Sequence, residues 1–176
     1  MVPEAPLEQT EEGLVPSGEG WFVLNARDAL WKEGDFGAFT RFEGESRFPQ
    51  IGINIGVLQP GQPSCMYHGE DTQENFLVLS GSCLFLVEGE ERLLEQWDFV
   101  HCPAWTEHVF VGAGDGPCVL VGIGARPDNE VVYPVAEVAQ RHGAGVEKET
   151  PEAKEAYASF SADVPTGYRE GWLPNL

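Results

Sequence analysis

A regular alternation of large and small side chains is the feature that most constrains the fold. Residues 51–57 read Ile-Gly-Ile-Asn-Ile-Gly-Val. Successive side chains of a β-strand point to opposite faces, so this run predicts a strand with one apolar face and one small or polar face. Further runs continue the series, with a hairpin turn at Glu88-Gly89-Glu90. These runs are 76–80, 84–87, 92–94, 98–102, 108–111 and 118–123.

Turn residues separate these runs at intervals of about ten residues, as β-sandwiches and β-barrels require. We therefore predict one predominantly β domain over residues 21–125. Residues 1–20 contain no Lys or Arg and several Pro and Gly, which predicts an extended N-terminal arm. A length of 176 residues suits one domain with extensions at both ends.

The C-terminal extension, 126–176, has a different pattern. Apolar residues spaced as on one helical face predict two short helices, over 134–142 and 153–160. Thr150 is expected to cap the second helix, with Pro151 in its first turn. The tail from 163 to 176 holds several Pro and Gly and is predicted to be irregular.

The charge of the chain excludes two classes of partner. Ten Lys and Arg stand against 29 Asp and Glu, a net charge of −19, so nucleic acid and anionic membranes would be repelled. The longest apolar runs have four residues, too few to cross a bilayer, and the N-terminus has no secretory pattern. We expect a cytoplasmic protein whose four cysteines, which form no CxxC pair, are free thiols packed in strands.

One short stretch carries the strongest chemical signal. His68 and Glu70 are two residues apart and would share a strand face, and Glu74 follows at the same parity. An antiparallel strand that carries His108 would bring a second imidazole to them. Imidazole and carboxylate together are the usual ligands of Zn, Fe, Mn or Ni, so we predict a site for a divalent transition metal. Gln73 is a further candidate, as a ligand or as a hydrogen-bond partner.

The two segments around these residues resemble the two sequence motifs of the cupin superfamily. The positions that keep the family spacing are Gly61, His68-Gly69-Glu70, Glu74, Gly81, Trp97, Pro103-Ala104-Trp105, His108 and Gly112. The resemblance implies a double-stranded β-helix, which is a jelly-roll barrel, with one metal ion held inside it by three His and one Glu. It also implies a homodimer.

The ligand positions depart from the family pattern at one place. Glu70 stands where the family has its second His, so the ligands carried over are His68, Glu74 and His108, with Glu70 as a substitute. In an alternative register Met66 and His68 would occupy the two His places, but it needs one residue more before the Glu than the family allows.

Other residues are assigned to the cavity and its surroundings. Trp97 and Trp105 replace family glycines, and we expect them to cover the barrel end or to pack on a partner chain. Arg92 and Arg126 are candidates to anchor an anionic substrate. His101 is expected to be a hydrogen-bonded structural residue. Side chains that share strand parity with the ligands are expected to line a cavity or an ordinary core, namely Met66, Phe76, Val78 and Phe110.

Two functions compete on this basis. The first is a metal-dependent enzyme of oxygenase or isomerase type that acts on a small molecule. The alternative is a non-catalytic cupin that binds a small ligand and has a degenerate or empty metal site. A third and weaker hypothesis is an interaction protein in which the barrel is only a scaffold, since a fold does not determine a function.

Overall fold

The structure, a computed structural model, describes residues 1–45, 47–126 and 130–174. It is mainly β, which confirms the predicted fold class. The strands are β1 (Leu7–Gln9), β2 (Leu14–Pro16), β3 (Trp31–Gly34), β4 (Gly37–Thr40), β5 (Ile51–Leu58), β6 (Gly69–Glu70), β7 (Glu74–Ser80), β8 (Ser82–Val87), β9 (Glu90–Glu95), β10 (Phe99–Cys102), β11 (His108–Ala113), β12 (Cys118–Ala125), β13 (Val131–Val132) and β14 (Val164–Thr166), and the helices are α1 (Glu137–Arg141) and α2 (Ala153–Ala156). Neither helix in these described ranges has the length and apolar content to cross a membrane.

Two antiparallel sheets share one core. The larger has the strand order β10-β7-β12-β5-β4-β3-β14 and the smaller has the order β11-β8-β9. One cluster of buried side chains joins their inner faces, with Leu58, Val78 and Leu120 from the larger sheet and Phe85 and Phe110 from the smaller. The removal of this apolar surface from water is the main force that holds the sheets together.

The alternation in β5 places its small residues inward. Gly56 lies opposite Leu120 and Asn54 lies opposite Gly122 on β12, on the same face as the core residue Leu58. The isoleucines of β5 point to the other side, where Ile51 is 44% exposed. Small residues leave space that large side chains would fill, so β5 and β12 form the wall of a cavity rather than a closed core.

The N-terminal residues are extended and lie against the domain. β1 and β2 pair with each other, and single bridges join Glu4 to Trp21 and Leu14 to Ala29. The hairpin of β1 and β2 therefore lies beside the sheets that form the cavity.

The C-terminal tail contains a strand, so the prediction that it is irregular is wrong over β14. This strand pairs with β3 at the edge of the large sheet. Pro165 has no N–H to donate, which an edge strand tolerates. Beyond it Trp172 packs on Trp31, with ring centroids 5.1 Å apart, and covers part of the sheet's outer face.

Both predicted helices are present but shorter than their apolar stripes. In α1 the buried residues are Val138 and Ala139, which belong to the predicted stripe. The N-cap of α2 is Glu152 and not Thr150. The Thr150 hydroxyl still supports the first turn, because it accepts a hydrogen bond from the Glu152 N–H (3.1 Å) and donates one to Glu155 (2.6 Å).

The two tryptophans that replace family glycines stand in left-handed backbone. The φ angle is 76° at Trp97 and 67° at Trp105, and both side chains are largely exposed. Glycine adopts this conformation without steric penalty, which explains why a glycine suits these turns.

Gly112 lies where another part of the chain crosses β11. The Gly61 N–H donates to the Gly112 carbonyl (2.7 Å), and the Gly112 N–H donates to the Gln62 carbonyl (2.9 Å). A Cβ atom at position 112 would collide with the carbonyl oxygen of Gln59. This close approach of two backbones requires glycine.

We predict that Gly112→Ala lowers the free energy of unfolding by about 2 kcal/mol or more, because backbone atoms of the crossing segment must move. Gly116→Ala is the matched control, since nothing lies within 4 Å of its added Cβ. It should change stability by less than about 0.5 kcal/mol. Urea unfolding followed by tryptophan fluorescence measures both variants, and equal midpoints would contradict the close-approach argument.

Candidate metal centre

The backbone brings the two predicted histidine ligands face to face. His68 and His108 form an antiparallel bridge in which each N–H donates to the other's carbonyl, over 3.2 and 2.8 Å. Residues opposed in such a pair send their side chains to the same face. The two imidazole centroids are accordingly 5.2 Å apart.

One nitrogen of each imidazole is held by a backbone carbonyl. His68 Nδ1 lies 2.9 Å from the Met66 oxygen, and His108 Nδ1 lies 2.9 Å from the Thr106 oxygen. A carbonyl oxygen can only accept, so each Nδ1 carries a hydrogen and donates it. In a neutral ring Nε2 is then an acceptor with a free lone pair, which is the usual arrangement of a metal-binding histidine.

Glu74 meets this pair from the first position of β7. Its Oε2 atom lies 3.4 Å from His108 Nε2, and within the described residues it is buried without a hydrogen-bond partner. A carboxylate oxygen and a free imidazole nitrogen are both acceptors, so they repel each other unless a proton or a cation lies near both. A buried polar atom without a partner is costly, so a cation or a proton between the two groups would stabilise this arrangement.

The pKa values of the three groups reflect their burial and the charges around them. Burial, followed by the charge of Glu70, raises the pKa of Glu74 to about 7. Burial, followed by the charge of His68, lowers the pKa of His108 to about 4, so this ring is neutral at physiological pH. Burial also lowers the pKa of His68, but the Cys65 sulfur and the Glu74 carboxylate outweigh it and raise the value to about 9.

The donor set fits a divalent transition metal. The ligand atoms of His68, Glu74 and His108 all lie within 4.8 Å of one another. Two imidazoles and one carboxylate suit Fe, Mn, Zn or Ni, and a set of three leaves coordination positions open for a substrate or water.

The other two predicted ligands lie outside this group. The Glu70 carboxylate accepts a hydrogen bond from the Thr72 hydroxyl (2.6 Å), and its oxygens are not among the atoms that converge. It acts on the site through its charge, which raises the pKa of Glu74. Gln73 is exposed just before β7 begins.

A cavity of about 360 Å³ opens onto the three converging side chains. Phe76 and Phe110 line it, at the places that strand parity indicates. Val78 shares their face but is buried in the core between the sheets. Met66 packs away from the cavity, against Tyr133, because the chain before residue 69 is not a regular strand. The remaining lining residues include Phe36, Phe39, Arg41, Asn54, Leu58, Ser64, Cys65, Leu120, Gly122, Tyr157 and Asp163.

One of these lining residues contacts His68, and another holds the backbone two residues before it. The Cys65 sulfur lies 3.7 Å from His68 Nδ1, and Tyr157 accepts a hydrogen bond from the Met66 N–H (3.1 Å). Sequence reasoning placed Cys65 among packed thiols, although its position three residues before His68 was a signal. The four cysteines are free, as predicted, and the other three are buried in strands.

The remaining candidates have partners elsewhere. His101 is exposed and bonded to the Asn75 side chain (2.8 Å), which confirms its expected structural role. Arg92 pairs with Glu90, and Arg126 forms two hydrogen bonds with the buried Glu43 carboxylate (2.6 and 3.0 Å). Neither arginine lines the cavity.

Comparison with known proteins gives a family match over residues 54–124, to the family described as "Cupin domain". A search of the curated proteins finds no match. Among solved structures, a sugar phosphate isomerase of the cupin superfamily from Silicibacter pomeroyi is 21% identical, with 65% of this chain and 75% of that chain covered and a TM-score of 0.51. A polyketide cyclase from Streptomyces resistomycificus is 13% identical, with 61% and 82% covered and a TM-score of 0.53.

A third solved structure is more similar in sequence over a shorter region. It is a candidate sugar phosphate isomerase from Acidithiobacillus ferrooxidans, 29% identical over 47% of this chain, with a TM-score of 0.44. The chain covers 54% of that protein, which is about half of its length. At these identities the Silicibacter and Streptomyces structures show the fold and leave the chemistry open.

We predict that Glu74→Gln removes a pH-dependent loss of stability from the metal-free protein. The folded-state pKa of Glu74 is raised from 4.5 to about 7, so its contribution to stability is lost as the pH rises through this window. The loss should be on the order of 2 kcal/mol. An amide avoids it, because it stays neutral and can donate to the His108 nitrogen.

Unfolding of chelator-treated protein at several pH values between 5 and 8 measures this difference. Glu70→Gln is the matched control, since Glu70 adds to the shift but does not face His108 Nε2. It should keep most of the pH dependence. If Glu74→Gln and the unmodified protein lose stability in parallel as the pH rises, the pKa of this carboxylate is not raised by the fold.

Proposed function

Because residues 54–124 form a cupin domain, we propose that the protein is a metal-dependent enzyme of oxygenase or isomerase type that acts on a small molecule. The observation that supports this most is a Glu74 oxygen that has no hydrogen-bond partner among the described residues and lies 3.4 Å from the acceptor nitrogen of His108. His68, Glu74 and His108 would hold the metal. A bound divalent ion would polarise a substrate oxygen or lower the pKa of a bound water.

The chain's own residues support such a role in two ways. The Met66 and Thr106 carbonyls fix the rings of His68 and His108, so the ligands need no rearrangement to bind an ion. Aromatic and aliphatic side chains form much of the cavity wall around them, which keeps bulk water from a bound substrate.

The alternative function is a non-catalytic cupin that binds a small ligand. The observation that favours it is the position of Glu70, which replaces a family ligand and lies outside the converging group. Oxygen uptake against diols, thiols and keto acids distinguishes an oxygenase from an isomerase. Ligand binding without any turnover would favour the alternative.

We also propose that two copies associate through the outer face of the large sheet. Phe99, Ile51 and Ile123 point outward from this face and are 65, 44 and 38% exposed. Exposed apolar side chains that share one face of a sheet can form an interface. A chain of net charge −19 would repel its copy elsewhere, so a face with exposed apolar side chains is the favourable contact. A location in the cytoplasm stays a prediction from the sequence.

We predict that protein purified without chelator contains close to one transition-metal ion per chain. His108→Ala and Glu74→Gln should each lose most of it, because loss of one of three ligands removes a large part of the affinity. His101→Ala is the matched control, since this exposed histidine faces Asn75, and it should retain the metal. Elemental analysis measures all three variants. Equal metal content in all of them, or none in the unmodified protein, would refute the proposed centre.

We predict that the unmodified protein is a dimer and that Phe99→Glu with Ile123→Glu converts it to a monomer. Two buried carboxylates on each copy would make the contact unfavourable. Leu93→Glu is the control, because Leu93 is similarly exposed (59%) but lies on β9 in the small sheet. Light scattering after size exclusion gives the mass. A monomeric unmodified protein would overturn this proposal and leave the metal centre untouched.

A further inference from the structure

Arg41 is the one arginine among the residues that line the candidate cavity. It follows β4, where the register pairs Phe39 with Gly56 and Thr40 with Ile55. Alternation therefore places Phe39 and Arg41 on the cavity face of the sheet. The guanidinium carbon lies over the Phe39 ring, 5.0 Å from its centroid, which orients the group without using its N–H donors.

The donors of Arg41 have no acceptor in the described part of the chain. Four other arginines pair with carboxylates within 4.0 Å, namely Arg92, Arg126, Arg141 and Arg169. Arg41 differs from these four because it lines the cavity and its donors stay available there. Five N–H groups in a fixed fork are suited to a planar anion such as a carboxylate or to a phosphate.

The electrostatic surroundings of Arg41 favour an anion. Burial, followed by the charge of Arg47, lowers the pKa of Arg41, and Arg126 acts in the same direction. Glu43 acts in the opposite direction but is already held by Arg126 through two hydrogen bonds. The charges of Arg47 and Arg126 therefore add to the positive potential at Arg41, and an arginine stays protonated at any physiological pH.

Asp163 is the one aspartate or glutamate other than Glu74 that lines the same cavity. Its charge favours the protonated form of Arg41, but the two side chains do not form an ion pair within 4.0 Å in the described structure. An anion that binds Arg41 would be repelled weakly by this carboxylate. Removal of the Asp163 charge should therefore strengthen anion binding, whereas removal of the Arg41 charge should weaken it.

We propose that Arg41 binds the anionic group of the substrate, so that the substrate class is a small organic anion with an apolar body. The anionic group is a carboxylate or a phosphate ester, and the body lies against Phe76, Phe110 and Leu58 on the way to the metal ligands. A cavity of about 360 Å³ limits the ligand to a small molecule. This inference rests on the proposed function in one respect, because it takes the cavity to be the substrate site.

Calorimetric titration with benzoate, phenyl phosphate, benzamide and benzyl alcohol tests the proposal. The two anions should bind at least about tenfold more tightly than the two neutral compounds, because a charge-assisted hydrogen bond is made only by the anions. The anion that binds more tightly shows whether the site prefers a carboxylate or a phosphate ester. A carboxylate can also bind a metal directly, so the titrations are made on metal-loaded and on chelator-treated protein.

Variants test whether Arg41 is the residue that causes the preference for anions over neutral compounds. Arg41→Gln should lose the anion preference by about tenfold and keep the metal content, and Arg41→Lys should keep part of the preference. Arg47→Gln is the matched control, because Arg47 is close in space but does not line this cavity, and it should change affinity by less than about threefold. Asp163→Asn should strengthen anion binding.

The outcomes separate this inference from the proposed function. Equal binding of benzoate and benzamide, or unchanged anion binding in Arg41→Gln, overturns the role of Arg41 even if the metal is present. If protein purified without chelator holds no metal and still binds anions through Arg41, the inference is supported and the metal enzyme is refuted.

Discussion

The candidate centre depends on two backbone carbonyl groups. The Met66 and Thr106 oxygens each accept a hydrogen bond from a histidine Nδ1, and this fixes both the tautomer and the ring direction of His68 and His108. Without them the rings could turn, and a donor could face Glu74. With them, the His108 lone pair faces a buried Glu74 oxygen, so a cation bound between the two groups would be favourable.

Core packing is less complete beside this site, because small residues on the inner face leave space for a cavity. Gly56, Gly122 and Asn54 stand on the inner face, where a stable core would hold large apolar residues. The isoleucines of the same strand point outward, toward the face that we propose as an interface. The same alternation thus explains the cavity on one side of the sheet and the exposed apolar surface on the other.

Local pattern predicted a large part of this arrangement. The β series and the convergence of His68, Glu74 and His108 follow from period-two alternation, since antiparallel strands place same-parity residues together. The same rule did not hold for Met66, because the chain around residues 61–68 crosses β11 and is not a regular strand, and Glu70 lies instead in the short strand β6, which pairs with β13. The direction in which the small face of β5 points could not be predicted, because alternation gives two faces without saying which is inner.

Non-local pairing explains the other differences. The strand β14 forms only because β3 offers it an edge, and nothing in the tail's own Pro and Gly content indicates this. Arg41 gave no signal in the sequence, since its position on the cavity face depends on the register between β4 and β5. Arg126, which the sequence did offer as an anion anchor, is occupied by Glu43.

X-ray absorption spectroscopy of the metal-loaded protein tests the central claim most directly, because it reports the atoms bound to the ion. The account predicts a first shell of nitrogen and oxygen atoms, with the multiple scattering of two imidazoles and no sulfur. A shell that contains sulfur, which Cys65 could supply, or one that lacks imidazole scattering, would contradict the assignment of His68, Glu74 and His108.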